Sequence, residues 1–160
     1  MTWDERLAAA WASLDDHTAT DFRTLIDGLV AELPEGSAIA DFERACAFDS
    51  TGDSAGAVPL YRRALETGLT GIRRRRAVIQ LSSSLRNIGE QQESIRLLTA
   101  ELAEPSDELE DAVKAVLALA LTDVGRAREG VSLAVGALAP HLPRYQRSMA
   151  NYARLLVADE

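Results

Sequence analysis

The sequence predicts an all-α fold, a solenoid of antiparallel helix pairs with about eight to nine helices once caps are counted. Three observations carry that prediction. Gly52, Gly89 and Gly125 recur at spacings of 37 and 36 residues, and each is followed by the same short pattern. A small residue stands five positions on (Ala57, Ser94, Gly130) and a leucine thirteen positions on (Leu65, Leu102, Leu138). Self-similarity at a fixed period of about 20 to 50 residues marks stacked repeats rather than a single closed core. Alanine and leucine dominate while aromatic residues make up only 5% of the chain, as expected where helices approach closely through small side chains. Runs of β-branched residues with period-two alternation are missing.

At 160 residues the chain reads as a single domain, 1–160, long enough to bury a core. Residues 1–36 are predicted as a two-helix amino-terminal extension. Thr2-Trp3-Asp4-Glu5 has the form of a capping box, in which hydroxyl and carboxylate each accept from a free amide at the helix start. Trp3, Leu7, Trp11 and Leu14 then make one apolar stripe. Thr18 to Asp21 opens the second helix, along which Phe22, Leu25, Ile26, Leu29, Val30 and Leu33 follow helical spacing until Pro34-Glu35-Gly36 stops it. From Ser37 the helices come in pairs, giving repeats at 37–70, 71–106 and 107–140. The first helix of each pair runs to its glycine: Ile39 to Thr51, Ile72 to Ile88, Leu109 to Val124. Glycine suits that place because the residue past a helix end often needs positive φ. The second helices run Ser54 to Thr67, Gln91 to Glu104 and Arg126 to Ala139, with Pro105 and Pro140 just beyond two of them. Pro59, well inside its helix, predicts a kink or a lost hydrogen bond. Leu142, Tyr145, Met149, Tyr152 and Leu156 form a last amphipathic stripe, and residues 141–160 are expected to cap the open end of the array.

The net charge of −8 is uneven. Residues 1–50 hold 11 acidic side chains against Arg6, Arg23 and Arg44, while the other 110 residues are balanced, with 14 acids and 14 bases. An acidic amino-terminal third argues against nucleic-acid binding, which depends on phosphate neutralisation. The single cysteine, Cys46, excludes an internal disulfide and fits a reducing compartment. The amino terminus lacks the basic and apolar regions of a signal peptide, and no apolar stretch approaches the roughly 20 residues of a membrane span. The expectation is a cytoplasmic protein with no membrane partner.

The helix pairs resemble the tetratricopeptide repeat, whose signature places a small residue and an aromatic on the first helix, a glycine at the turn, and Ala, aromatic, Ala on the second. Ala45, Phe48, Gly52, Ala57, Tyr61 and Ala64 stand at that spacing. The second copy reads Ser82, Leu85, Gly89, Ser94, Leu98 and Glu101, and the third Ala118, Leu121, Gly125, Gly130, Ala134 and Ala137. Both are degenerate, and the chain is similar to small stand-alone bacterial members of the family. The resemblance implies a right-handed superhelix whose first helices line a concave groove that binds a peptide or protein segment. Groove positions carried over are Phe42, Cys46 and Asp49 in the first copy and Arg76, Ile79, Ser83, Arg86 and Asn87 in the second. The third contributes Ala115, Leu119 and Asp123. The family's carboxylate-clamp positions carry Phe42, Cys46, Gln80, Ala112 and Val116, of which Gln80 alone can donate as the clamp requires. Binding of a chaperone's terminal carboxylate is therefore not expected.

Arg73-Arg74-Arg75-Arg76 is the densest charge run. Successive helical residues point about 100° apart, so the four fan around the axis instead of forming one patch. Pairing with acids of neighbouring helices, those of the acidic segment among them, stands against a groove role for Arg76 and Arg86. His17, in Asp15-Asp16-His17-Thr18, lacks a second ligand at metal spacing and reads as a turn, as does His141. Ser82-Ser83-Ser84 has no nucleophile context, and the phosphate loops G-x-x-x-x-G-K-[ST] and G-x-G-x-x-G are missing. No catalytic, metal or cofactor residues are assigned. The expected function is a non-enzymatic interaction scaffold, with a structural homodimer as the alternative, in which Trp3 and Trp11 would pack on a second subunit.

Overall fold

A computed structural model of the chain describes residues 1–158. Among these residues the regular structure is helical throughout, with nine α-helices and no strand. They are α1 (Trp3–Ala12), α2 (Ala19–Val30), α3 (Ala38–Ser50), α4 (Ser54–Glu66), α5 (Gly71–Asn87), α6 (Gln91–Leu102), α7 (Glu110–Asp123), α8 (Ala127–Leu138) and α9 (Gln146–Leu155). Short 3₁₀ turns follow α1 and α8. Consecutive helices pack on one another, α3 on α4 and α7 on α8 most extensively, the architecture of a tetratricopeptide-like helical solenoid. Two compact units divide the chain, Met1–Ser84 and Leu85–Glu160.

Helix starts follow the local chemistry of the sequence. Thr2 and Glu5 form the full capping box, the Glu5 N–H donating to Thr2 Oγ1 at 3.2 Å and the Thr2 N–H to Glu5 Oε2 at 2.7 Å. Thr18 and Ser37 cap α2 and α3 through their hydroxyls, and Asp53 caps α4. The ends of α3, α5 and α7 share one motif. Gly52, Gly89 and Gly125 have φ of +87°, +89° and +82°. The next residue donates its N–H back five places, Asp53 to the Phe48 carbonyl, Glu90 to Leu85 and Arg126 to Leu121, at 2.8–2.9 Å. That is the Schellman end, in which left-handed backbone at the glycine satisfies carbonyls the helix leaves free.

In the amino-terminal unit, α1 and α2 share a core with α3, built from Leu7, Ala10, Phe22, Ile26, Val30, Ala40 and Ala47. α1 and α2 therefore pack on α3 through this core. Trp3 and Trp11 are half-buried against this core: Trp3 Nε1 donates to the Leu29 carbonyl at 2.8 Å, and the Trp11 ring meets Phe22 edge-on at 5.0 Å between centroids. α4 runs unbroken through Pro59, which lacks only the amide that would have reached the Ala55 carbonyl.

In the carboxy-terminal unit, α6 packs on α7, α7 on α8, and α8 on α9. α9 is held by Ser132 Oγ, which donates to the Ala153 carbonyl at 2.7 Å, and by Arg128, which donates to the Leu156 carbonyl at 2.9 Å. It packs on α8 with only part of the stripe read from the sequence, of which Leu142, Met149 and Leu156 are half-buried. Ala153 is the buried residue of α9, while Tyr145 and Tyr152 face solvent. Ala134, matched to the aromatic position of the repeat, is also exposed, because α9 lies over the Ser132 and Gly136 side of α8.

Candidate functional site

In the amino-terminal unit the carried-over residues lie on α3 and on the first part of α5. Phe42 and Cys46 are buried and leave the candidate surface. Phe42 packs at 6.3 Å from the Tyr61 ring, and Cys46 Sγ donates to Gln80 Oε1 at 3.6 Å. Burial, with the nearby Glu43 carboxylate, pushes the Cys46 thiol up to about 12, which makes it inert as a nucleophile. Asp49 is half-buried and already used, since three hydroxyls converge on its carboxylate. Ser84 Oγ donates at 2.9 Å, Ser54 Oγ at 3.3 Å and the Tyr61 hydroxyl at 3.5 Å. This cluster ties α3 to α4 and α5, and nothing in the sequence marked it.

Arg76, Ile79 and Ser83 remain accessible, one stripe at i, i+3 and i+7 along α5. Arg76 is exposed, and its guanidinium stands 5.2 Å over the Phe42 ring. A cation over an aromatic face is held by the ring quadrupole without losing its charge. Among the described residues it makes no ion pair, unlike Arg73 in the same run, which reaches Asp4 at 3.0 Å and Glu43 at 3.6 Å. Arg75 is buried, and Arg74 and Arg75 both have partners. The fan of four arginines thus divides as helical geometry requires, with Arg73 spent on acids of the −8 segment and Arg76 left outward.

Glu43 is the buried acid of this cluster. It accepts from Trp11 Nε1 at 3.0 Å and faces Arg73. Burial raises its carboxyl above the usual range, and the Trp11 N–H with the Arg73 and Arg76 charges offsets only part of that rise.

In the carboxy-terminal unit, Arg86 and Asp123 pair with each other, Arg86 Nη2 to Asp123 Oδ1 at 3.1 Å, so the expected groove cation is half neutralised. Asn87 is exposed at the end of α5 and has a partner. Ala115 and Leu119 are exposed one turn apart on α7, Leu119 to 52%. His17 sits in the turn before α2 against Ser13 Oγ at 3.2 Å, and His141 lies 2.9 Å from Asp111, whose carboxyl it holds below its usual range. Among the described residues no group of three or more His, Cys, Asp or Glu is placed to hold a metal ion. Nor is any helix among them long and apolar enough to cross a membrane.

A family model described as tetratrico peptide repeat matches residues 38–156. The chain belongs to the tetratricopeptide repeat family. The matched span opens at α3 and closes just past α9, so α1 and α2 lie outside it. Comparison with curated proteins found no match, and neither did comparison with solved structures. Tetratricopeptide repeats generally mediate protein–protein interactions and are typically non-enzymatic scaffolds.

Proposed function

We propose that this tetratricopeptide protein is a non-enzymatic adaptor that docks a peptide or protein segment on the outward face of its first helices, with Arg76, Ile79 and Ser83 of α5 at the centre. The observation that carries this reading is Arg76. It is an exposed, unneutralised guanidinium mounted on a buried aromatic ring, beside a half-exposed isoleucine and a serine. A cation next to an apolar side chain suits a segment that offers a carboxylate and an anchor together. Leu119 and Ala115 on α7 give the carboxy-terminal unit an apolar first-helix face of the same kind. A lone buried thiol is compatible with action in the cytoplasm, where cysteines stay reduced.

A homodimer built on Trp3 and Trp11 has less support, because both indoles are half-buried and hydrogen-bonded within their own chain. The test of the adaptor reading is direct titration of any partner recovered with the full chain as bait. Arg76→Glu and Ile79→Asp should each weaken that partner about tenfold or more, the scale of an interface hot spot. A partner whose affinity survives both changes would refute the reading.

A further inference from the structure

One flank of α9 has no cover. Its inner side meets α8 through Ala153, with Met149 and Leu156 half-buried, while Tyr145, Tyr152 and Leu155 are 73%, 60% and 47% exposed. Tyr145 stands in left-handed backbone at φ +70°, the only non-glycine residue with positive φ among those described. A bulky residue takes that conformation only where its surroundings over-determine it. The constraint is visible. The Gln146 side-chain amide donates to the Pro140 and Leu142 carbonyls at 3.0 and 2.8 Å. The Met149 N–H and the Ser148 hydroxyl both donate to the Tyr145 carbonyl, at 2.9 and 3.1 Å. The turn into α9 is pinned, and it presents the tyrosine on a rigid mount.

Charge accompanies the aromatics. Arg144 and Arg147 flank Tyr145, both are exposed, and neither makes an ion pair among the described residues. Residues 141–160 contain Arg144, Arg147 and Arg154, and their acids, Asp159 and Glu160, stand only at the very end of the sequence. An open depression of about 650 Å³ lies here, lined by Tyr145, Gln146, Arg147, Ser148 and Asn151.

We propose that this outer flank of α9 is a second docking surface, for a partner-protein segment that carries carboxylates beside an aromatic or leucine side chain. Exposed Tyr with Arg is the composition from which interface anchors are drawn. The tyrosines require an apolar counterpart and the arginines a carboxylate, so one segment must supply both. A second copy using the same face would set Arg144 and Arg147 against their own equivalents, which like-charge repulsion opposes. A second copy offering its acidic amino-terminal unit would bring the exposed Asp15 and Asp16. The large exposed apolar side chains described there are only Met1 and Ile72, so the tyrosines would stay wet.

The test uses the full chain and three labelled synthetic helical peptides followed by fluorescence polarisation. One carries Glu with Phe and Leu at i, i+3 and i+7, the second replaces Glu by Lys, and the third replaces Phe and Leu by Ser. The first should bind saturably and more weakly as salt rises, and the other two should not. Arg144→Glu/Arg147→Glu, and separately Tyr152→Ser, should each reduce its affinity about tenfold or more, while Arg76→Glu leaves it unchanged. Circular dichroism checks folding, and Arg144→Gln/Arg147→Gln repeats the charge test with a milder change. No saturable binding of the first peptide, equal binding of the Lys peptide, or indifference to the arginine variants would overturn the proposal. So would loss of binding on Arg76→Glu, which would move the site to α5. Light scattering of the chain alone closes the last route: a dimer that Arg144→Glu/Arg147→Glu converts to monomer would name a second copy as the occupant and overturn it too.

Discussion

A Cβ built on Gly130 would lie 2.6 Å from the Ala118 carbonyl oxygen and 2.8 Å from Thr122 Oγ1. The equivalent positions in the other copies, Ala57 and Ser94, are fully buried yet accept a Cβ, so α8 sits against α7 more closely than those repeats require. The obstacle at Gly130 is largely backbone and cannot swing aside. Gly130→Ala should therefore destabilise the protein by about 1–3 kcal/mol, the cost of overpacking, despite the better helix propensity of alanine. Gly28, in the last turn of α2, has nothing within 4 Å of an added Cβ, and Gly28→Ala should stabilise by about 0.5–1 kcal/mol. Urea-unfolding midpoints read both, and a shift of equal sign in the two would contradict the packing argument. Of the two, only Gly130 was marked by the sequence, through its recurrence five places after a turn glycine. Recurrence showed that a small residue was needed, and the neighbouring carbonyl explains why it is the smallest.

Between elements, the buried Glu43 links α1, α3 and α5 through Trp11 and Arg73. Its carboxyl is raised in the folded chain, so the proton is held more tightly there than in the unfolded chain. The stabilisation this gives is complete below the unfolded pKa of about 4.5 and is lost as pH rises through the folded value. Glu43→Gln keeps an acceptor for Trp11 and cannot ionise, so its stability relative to the parent should increase from pH 4 to pH 7. Thermal or urea unfolding at several pH values checks this, and a difference that shrinks with pH would reverse the assignment. The sequence shows Glu43 only as one of 11 acids in the first 50 residues. Its burial depends on the indole 32 positions earlier, and no local pattern reports that contact. Asp49 teaches the same lesson. Its helical face was legible, but the three hydroxyls that occupy its carboxylate come from residues 5, 12 and 35 positions away.

For the whole molecule, the last helix decides whether the final repeat is closed. Removing residues 142–160 strips Ala153 from α8 and leaves Ser132, Arg128 and Gly136 without their cover. Terminal repeats need such caps because each repeat buries its apolar face only against a neighbour. The truncated chain should lose on the order of 2 kcal/mol or more, the worth of one well-buried apolar side chain, and should bind a dye such as anilinonaphthalene sulfonate. An unchanged unfolding midpoint would show that α9 contributes docking surface and no stability.

Features set by near neighbours in the chain were legible without any structure. The capping residues, the Schellman glycines, the order of helices and the small residues at helix crossings all follow from backbone sterics and the 3.6-residue period, which act over a few positions. The identity of the accessible surface did not follow, because it depends on contacts between segments far apart in sequence. Phe42 and Cys46 hold the positions a groove would use, yet Tyr61 and Gln80 cover them. Arg86 is claimed by Asp123, while Arg76 stays outward over a ring. α9 turns its tyrosines to solvent because Ala153, the smaller residue, allows the closer approach to α8. Periodicity specifies that a helix has an apolar stripe, and packing specifies how far that stripe is rotated from its neighbour.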